Sequence, residues 1–354
     1  MVRFYALLFF CLAIINSAAA QISLTDEERK DTSAGTPVVE EQKKEDDALF
    51  NFLGLKIPNF ISSKSDQPDE NSVVVLAQKA ADGDVVSQLK LGYAYLYGSD
   101  GLQVNYDKAF HYYNLAAQQN DAIGLNNLGS LYYNGIGTKR NSHKAALLFA
   151  KAVEAGNFDA ATNLGFMYIT GNGIEQDINV GLNYFEKAAE GGNVLSQFMI
   201  GYAYYLGLHR QKNYNIATKY IKKAADAGLD EAQVILANMY MNGQGFPQNY
   251  SNAVKYLSAA TKQGNVEAML KLADILSSGK KYPQNISEAH VLYNLASVRG
   301  ADTATARRND MEKKMEISDI LNAQRDAENF QEKTSPLTNY VRQTFGYNIH
   351  NYIK

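Results

Sequence analysis

The chain has 354 residues, a formal net charge of −3 and a hydrophobic content of 46%, so it is long enough for two or three ordinary domains. This near-neutral charge excludes the strongly basic surface with which proteins hold nucleic acid or an anionic membrane. Its single cysteine, Cys11, excludes a disulfide framework.

Residues 1–20 are predicted to be a secretory signal peptide that is cleaved after Ala20. Arg3 supplies the basic start, and the apolar run over 4–15 is short for a membrane span. The alternative is a short uncleaved anchor. Cleavage removes Cys11, and with it any cysteine nucleophile or thiolate metal site, and leaves no integral membrane span. We therefore expect an exported protein, either periplasmic or secreted.

Residues 21–70 are predicted to be an acidic, disordered leader. They contain 12 acidic and 6 basic residues, together with three prolines. One apolar island, residues 49–55, interrupts the leader. It is interpreted either as a segment that packs on the first repeat or as a docking motif for a partner or for the protein's own groove.

Residues 85–300 repeat one sequence six times. A small residue recurs in steps of 37, 36, 36, 36 and 36 residues, at Gly92, Gly129, Gly165, Gly201, Ala237 and Ala273. Six residues after each of these stands another glycine, at Gly98, Gly135, Gly171, Gly207, Gly243 and Gly279. A fixed period of this length is typical of a solenoid, in which each unit is stabilised by stacking on its neighbours.

Each unit is predicted to form two antiparallel helices, which we call helix A and helix B. The second recurring glycine ends helix A, where a residue with positive φ is needed. A recurring Asn or Asp then caps helix B, at Asn105, Asn141, Asp177, Asn213, Asn249 and Asn285. Two further series of small residues, which include Ala145 and Ala152, are expected where the helices cross closely.

This pattern, A-x-x-x-L-G-x-x-Y-x-x-G-x-G followed by D/N-x-x-x-A-x-x-Y/F-x-x-A-A-x-x-G, resembles the Sel-1-like repeat, a relative of the tetratricopeptide repeat. The resemblance implies an all-α fold, a right-handed α/α superhelix of about six helix-turn-helix repeats with capping helices. The predicted repeats span 85–120, 121–156, 157–192, 193–228, 229–264 and 265–300. A capping helix is predicted in 71–84 and two more in 301–332. The tail, 333–354, is expected either to strap the last helices or to bind a partner.

The sequence offers little support for catalysis. The five histidines, His111, His143, His209, His290 and His350, lack the spacing of a zinc helix and are expected to be solvated. Ser277 and Lys280 fit the S-x-x-K motif of penicillin-recognising enzymes, but the companion motifs are absent. No enzyme activity, cofactor or metal is therefore predicted. One alternative is an envelope enzyme, such as a β-lactamase or a peptidoglycan-acting protein. Another is an adaptor of the eukaryotic secretory lumen, where the sequons at Asn249 and Asn285 would be glycosylated.

Positions that vary between repeats while sharing one face are free to contact a ligand. Three such positions lie two residues before, one after and five after the recurring Gly or Ala of helix A, so they share one side of that helix. We call this surface the helix A face. Its predicted partner-binding residues are Tyr93, Tyr97, Asn127, Asn134, Asn163, Phe166, Tyr202, Asn238 and Asn242.

The resemblance implies that helix A lines the concave side of the superhelix and that the protein is a non-catalytic adaptor. Asparagine amides can pair with a ligand backbone, and tyrosine adds apolar area with a polar tip. An extended peptide or protein loop is therefore the predicted partner, and nucleic acid is not. The alternatives are that the face is simply solvated or is filled by the leader.

Overall fold

The computed structural model describes residues 73–346 and 352–353. Within this part of the chain the regular structure is helical, with sixteen α-helices and no strand. The chain divides into two compact units. The first comprises Met1–Asn193 with Tyr340–Tyr347, and the second comprises Val194–Asn339 with Asn348–Lys354. This arrangement of helix pairs confirms the predicted all-α repeat superhelix.

In the first unit, one helix precedes three repeated pairs. They are α1 (Val73–Ala81), α2 (Val85–Tyr97), α3 (Tyr106–Gln118), α4 (Ala122–Asn134), α5 (Ser142–Glu154), α6 (Phe158–Thr170) and α7 (Ile178–Glu190). Helices α2, α4 and α6 are the A helices. Every repeated helix has 13 residues, because the glycine and the cap fix its two ends.

The second unit continues with three more pairs, and its A helices are α8, α10 and α12. Its repeated helices are α8 (Val194–Leu206), α9 (Tyr214–Asp226), α10 (Asp230–Asn242), α11 (Tyr250–Lys262), α12 (Val266–Ser278) and α13 (Ile286–Val298). They are followed by α14 (Asp302–Glu312), α15 (Ile317–Glu328) and α16 (Pro336–Phe345), the last of which begins in this unit.

The predicted helix ends are confirmed in all six repeats. Every recurring glycine that follows helix A is left-handed, with φ between 62° and 79°. Each predicted Asn or Asp precedes helix B, and its side-chain oxygen accepts a hydrogen bond from a backbone N–H of the first turn. The backbone N–H of the same residue donates to a carbonyl of helix A at 2.8–3.0 Å. The cap residue therefore also closes the turn between the two helices.

Replacing the cap residue Asn141 by alanine is expected to lower the free energy of unfolding by about 1 kcal/mol, because Asn141 Oδ1 accepts from Lys144 N at 2.9 Å. Chemical denaturation followed by circular dichroism measures this loss. Asn141→Asp keeps an acceptor at the same position and should fall within a few tenths of a kcal/mol of wild type. An equal loss in both variants would contradict the capping role.

Small residues mark the points where helices A and B cross. Ala145 and Ala152 on α5 have no exposed surface, and the equivalent alanines of the other repeats are equally buried. A Cβ atom at Gly129 would lie 2.9 Å from the ring of Phe149, and one at Gly165 would lie 2.8 Å from Phe185. Glycine on helix A therefore makes room for a large side chain of helix B in the same repeat.

In some repeats a second glycine stands two residues after the one that ends helix A, and it packs against the neighbouring repeat instead of its own. A Cβ atom at Gly137 would overlap the backbone carbonyl of Tyr106, in the first turn of the preceding helix B. A Cβ atom at Gly173 would lie 2.5 Å from Ser142, which holds the equivalent position one repeat later. This glycine thus lets the turn of one repeat rest on the helix of the repeat before it.

No helix among the described residues is long and apolar enough to cross a membrane. The predicted signal peptide and leader lie outside the described residues, so their assignment stays a prediction.

Candidate protein-interaction surface

The structure places all nine predicted partner-binding residues on A helices. Their exposure differs widely. Tyr93, Asn127 and Tyr202 are buried, with 9%, 1% and 7% of their surface exposed. Tyr97, Asn163, Phe166 and Asn238 are half-buried, whereas Asn134 and Asn242 are exposed. Burial removes most of the side-chain surface of the first three from a partner, so the accessible part of the helix A face comprises the other six.

In the first unit, the aromatic centre of the helix A face is Phe166. Its ring meets Phe185 edge to face, with centroids 4.8 Å apart and planes at 75°. On its other side it stacks on Phe345 of α16, with centroids 5.0 Å apart and planes at 20°. Tyr340 and Val341 of α16 are 8% and 1% exposed. The protein's own C-terminal helix therefore covers Phe166.

A chain of buried amides links two A helices in the same unit. Asn163 Nδ2 donates to Asn126 Oδ1 at 3.1 Å, and Asn126 Nδ2 donates to Asn127 Oδ1 at 3.3 Å. Asn127 also bonds the hydroxyl of Tyr113, whose pKa is raised by complete burial. Asn126 has no exposed surface. Because a buried amide without partners is costly, Asn127 and Asn163 stabilise the stack as well as bordering the surface.

Asn126 was not predicted from the sequence. Its position, three residues before Gly129, carries no recurring residue type in the six repeats. Its amide at a position that carries an apolar residue in four of the six repeats is the one feature that could have identified it.

Two tyrosines of the helix A face, Tyr97 and Tyr202, have raised pKa values. Tyr93 and Tyr97 pack at 4.7 Å, and burial raises the pKa of Tyr97 well above its usual value, with smaller effects from Tyr113 and Tyr93. In the second unit, burial raises the pKa of Tyr202 to about 12. These hydroxyls therefore act as hydrogen-bonding groups and not as charges.

The tail does not strap the last helices in the way that one of the two sequence interpretations suggests. In the second unit it lies on the turns that end the fourth and fifth repeats. Lys333 N donates to Lys262 O at 2.8 Å, and Ser335 Oγ and Thr338 Oγ1 donate to Gly228 O at 2.9 and 3.0 Å. Thr338 is completely buried. Hydrogen bonds to backbone groups thus set the position of the tail.

The expectation that the histidines are solvated is wrong for His290. Its side chain has no exposed surface, and its Nε2 lies 3.0 Å from Glu312 Oε1 on α14. The sequence could not indicate this because α14 lies beyond the repeats and supplies the carboxylate. His290 therefore joins the last repeat to the helix that follows it.

The residues of the S-x-x-K motif are not assembled as a catalytic pair. Ser277 Oγ lies 3.2 Å from Asp274 O and 3.4 Å from the hydroxyl of Tyr293, and Lys280 is exposed in the turn. An open depression of about 740 Å³ between the second and third repeats is lined by His143 and Glu175, and His143 Nδ1 lies 3.3 Å from Gly173 O. Within the described residues, no cluster of three or more His, Cys, Asp or Glu is placed to hold a metal ion.

Comparison with solved structures places this architecture among known repeat proteins. A protective antigen of uropathogenic Escherichia coli with an SLR fold matches with a TM-score of 0.52 and 24% identity, over 77% of this chain and 66% of the antigen. This chain thus spans slightly less than two thirds of the antigen's length. A Sel1 repeat protein from Oxalobacter formigenes matches with a TM-score of 0.53 and 23% identity, over 73% of this chain and 96% of that protein. At these identities the two matches establish the fold.

The Sel1 repeat family model matches six times, over residues 85–121, 122–157, 158–193, 194–229, 230–265 and 266–298. These matches cover more than half of the chain and lie within one residue of the predicted boundaries, except that the last one ends two residues earlier. Proteins of this type are generally scaffolds for protein interactions. The chain therefore belongs to the Sel1 repeat family.

Proposed function

We propose that this protein is a non-catalytic scaffold that binds an extended peptide or a protein loop on the helix A face. We further propose that it acts after export, in the periplasm or outside the cell. The single observation that best supports the binding role is the stack of Phe345 on Phe166. The face accepts an aromatic side chain that lies far away in the sequence, and a partner would use the same kind of contact.

The accessible residues of the face suit a partner with both aromatic and polar groups. Phe166 offers a ring that is supported from behind by Phe185 at 4.8 Å, and a partner would take the place that Phe345 holds on its other side. Asn134 is exposed, and its Nδ2 donates to Ser130 O at 3.0 Å. Its Oδ1 is therefore the atom that we propose accepts from a partner. An aromatic side chain followed by a free backbone N–H would satisfy both groups. This pairing favours a peptide or loop over a small molecule.

The export proposal depends on the N-terminal sequence. A basic start, an apolar run of about twelve residues and a small-residue cleavage site are typical of a signal peptide. N-terminal sequencing of the protein recovered from its producing cell tests this proposal. Gln21 as the first residue supports it, and an intact Met1 contradicts it.

Two substitutions on the helix A face test the binding role. Asn134→Arg adds charge and bulk to the exposed part, and Phe166→Ala removes the supported ring. Wild-type and variant proteins are used to capture partners from the cell envelope with chemical cross-linking. Proteins captured by wild type are expected to fall at least tenfold with either variant, because the central contacts of an interface carry most of its energy.

The matched control is Asn183→Arg, which adds the same charge to an exposed amide on the B helix α7. It should leave capture unchanged, and circular dichroism should give equal helicity for all variants. Equal loss with the control variant, or no loss with Phe166→Ala and Asn134→Arg, would refute the assignment of this face.

A further inference from the structure

A pair of glutamines recurs with the same hydrogen bonds in the first and fifth repeats. In the fifth, Gln263 Nε2 donates to Gly228 O and to Gln233 Oε1, both at 3.0 Å, and Gln233 Nε2 donates to Ala225 O at 3.1 Å. In the first, Gln119 Nε2 donates to Gly83 O at 3.1 Å and to Gln88 Oε1 at 2.9 Å, and Gln88 Nε2 donates to Ala80 O at 3.0 Å. The other four repeats lack one or both glutamines.

The pair in the fifth repeat holds a defined ligand, the protein's own tail. Gln263 Oε1 accepts from Ser335 N at 3.0 Å. Ser335 Oγ and Thr338 Oγ1 both donate to Gly228 O, and Thr338 Oγ1 accepts from Asp230 N at 3.1 Å. Thr338 N also donates to Ser335 Oγ at 3.1 Å. The bound element is thus a Ser-x-x-Thr turn, read through one backbone N–H and two hydroxyls.

The pair in the first repeat presents the same groups without such a turn among the described residues. Gly83 and Gly228 share a φ of 96°. A Cβ atom at Gly228 would lie 3.3 Å from Ser335, whereas none of the described residues comes within 4 Å of a Cβ atom at Gly83. Gln119 and Gly83 are exposed, and Gln88 beneath them is 2% exposed. The receptor groups of the fifth repeat are therefore reproduced, in the same geometry, on an exposed surface.

The Ser-x-x-Thr pattern of the bound turn occurs at two other places, Ser258–Thr261 inside the helix α11 and residues 33–36 of the leader, and only the leader segment also has the preceding threonine. Thr334–Thr338 reads Thr-Ser-Pro-Leu-Thr, and residues 32–36 of the leader read Thr-Ser-Ala-Gly-Thr. Thr-Ser-x-x-Thr occurs nowhere else in the chain. The 36 residues between Thr36 and Val73 can span up to about 120 Å when extended, against about 14 Å for the length of α1. The segment can thus reach Gly83 without any strain in the linker.

We propose that the glutamine pair of the first repeat is a binding site for a Ser-x-x-Thr turn, and that residues 32–36 of the leader occupy it. Ser33 N–H would donate to Gln119 Oε1, and the hydroxyls of Ser33 and Thr36 to Gly83 O. Because the linker keeps the leader close, its effective concentration is on the order of millimolar, so a few hydrogen bonds suffice to populate the docked state.

The two sites and their segments differ in two respects outside the Ser-x-x-Thr turn. Gly264 lies against Glu332 of the tail, whereas its counterpart in the first repeat is Asn120. Pro37 follows Thr36 directly, whereas in the tail the helix α16 continues beyond Thr338 to Phe345. The proposed site therefore reads the turn alone, and the flanking residues of the two segments are free to differ.

Hydrogen–deuterium exchange of the full chain, followed by mass spectrometry, tests the proposal. In wild type, the amide of Ser33 is expected to exchange at least fivefold more slowly than in the Gln119→Ala variant. The double variant Ser33→Ala/Thr36→Ala should lose the same protection, and it lies outside the repeats, so it tests the contact even if Gln119→Ala unfolds the first repeat.

Gln263→Ala is the matched control, since it should accelerate exchange at Ser335 and leave Ser33 unchanged. An exchange rate at Ser33 equal to that of an unstructured peptide in wild type would overturn the proposal. So would protection that is unchanged by Gln119→Ala. Protection around Gly83 that rises with protein concentration would assign the site to a segment of a second copy, and would also overturn the leader as its occupant.

Discussion

Replacing Gly137 by alanine is expected to destabilise the first unit by about 2–5 kcal/mol. The left-handed backbone at φ 63° costs an alanine roughly 1–2 kcal/mol. The added methyl group must also displace the carbonyl of Tyr106, and overpacking of this kind typically costs a further 1–3 kcal/mol. Backbone atoms cannot move aside as a flexible side chain can, so relief requires a shift of the whole turn.

The matched control for this prediction is Gly101→Ala. Gly101 is the corresponding glycine of the first repeat, with φ 78°, but no described atom lies within 4 Å of a Cβ atom there. It should lose only the backbone part, about 1–2 kcal/mol. Urea denaturation of both variants, followed by circular dichroism, measures the difference. Equal losses would mean that contact between neighbouring repeats contributes nothing at this glycine.

The second large effect is expected from Thr338→Val, which replaces a buried hydroxyl by a methyl group of similar size. Thr338 donates to Gly228 O at 3.0 Å and accepts from Asp230 N at 3.1 Å, and both bonds are lost. Losing the partners of buried polar groups costs about 1–3 kcal/mol, which corresponds to a 5- to 150-fold change in the docking equilibrium of the tail. Amide exchange in Pro336–Phe345 should therefore accelerate by at least fivefold.

Asn339→Ala serves as the control for tail docking, because Asn339 is the next residue on the same helix and is exposed. It should change exchange by less than twofold. The prediction fails if Thr338→Val leaves the exchange of this helix at its wild-type rate. Such a result would locate the stability of the tail in its apolar residues, chiefly Val341 and Tyr340, and not in its hydrogen bonds.

The helices and their ends could be predicted because each depends on residues close in sequence. Gly135 ends α4 and Asn141 begins α5 through bonds to groups at most four residues away, or across one turn. Because the pattern occurs six times, it stays recognisable despite exceptions such as Leu276, which replaces the tyrosine of the other repeats. Local chemistry and repetition together determine the fold.

The surroundings of the candidate surface could not be predicted, because they depend on contacts far apart in sequence. Phe166 meets Phe345 across 179 positions, and Gly228 meets Thr338 across 110. Neither contact has a periodic signature. The amide network of Asn127 likewise depends on Asn126, whose equivalents in the other repeats are not asparagine. Comparing repeats identified the variable positions, but did not separate those that support the stack from those that face solvent.

The glycine that packs on the preceding helix B affects how repeats can be added to the protein by duplication. Three of the repeats contact the helix B before them through this glycine, at Gly137, Gly173 and Gly245, and the contact involves mainly main-chain atoms of that helix. The fourth and sixth repeats have His209 and Lys281 at the same position. A duplicated unit can thus be inserted behind any existing unit, whatever side chains that unit carries. Where a copy keeps this glycine, its contact with the preceding unit places little constraint on the side chains of that unit.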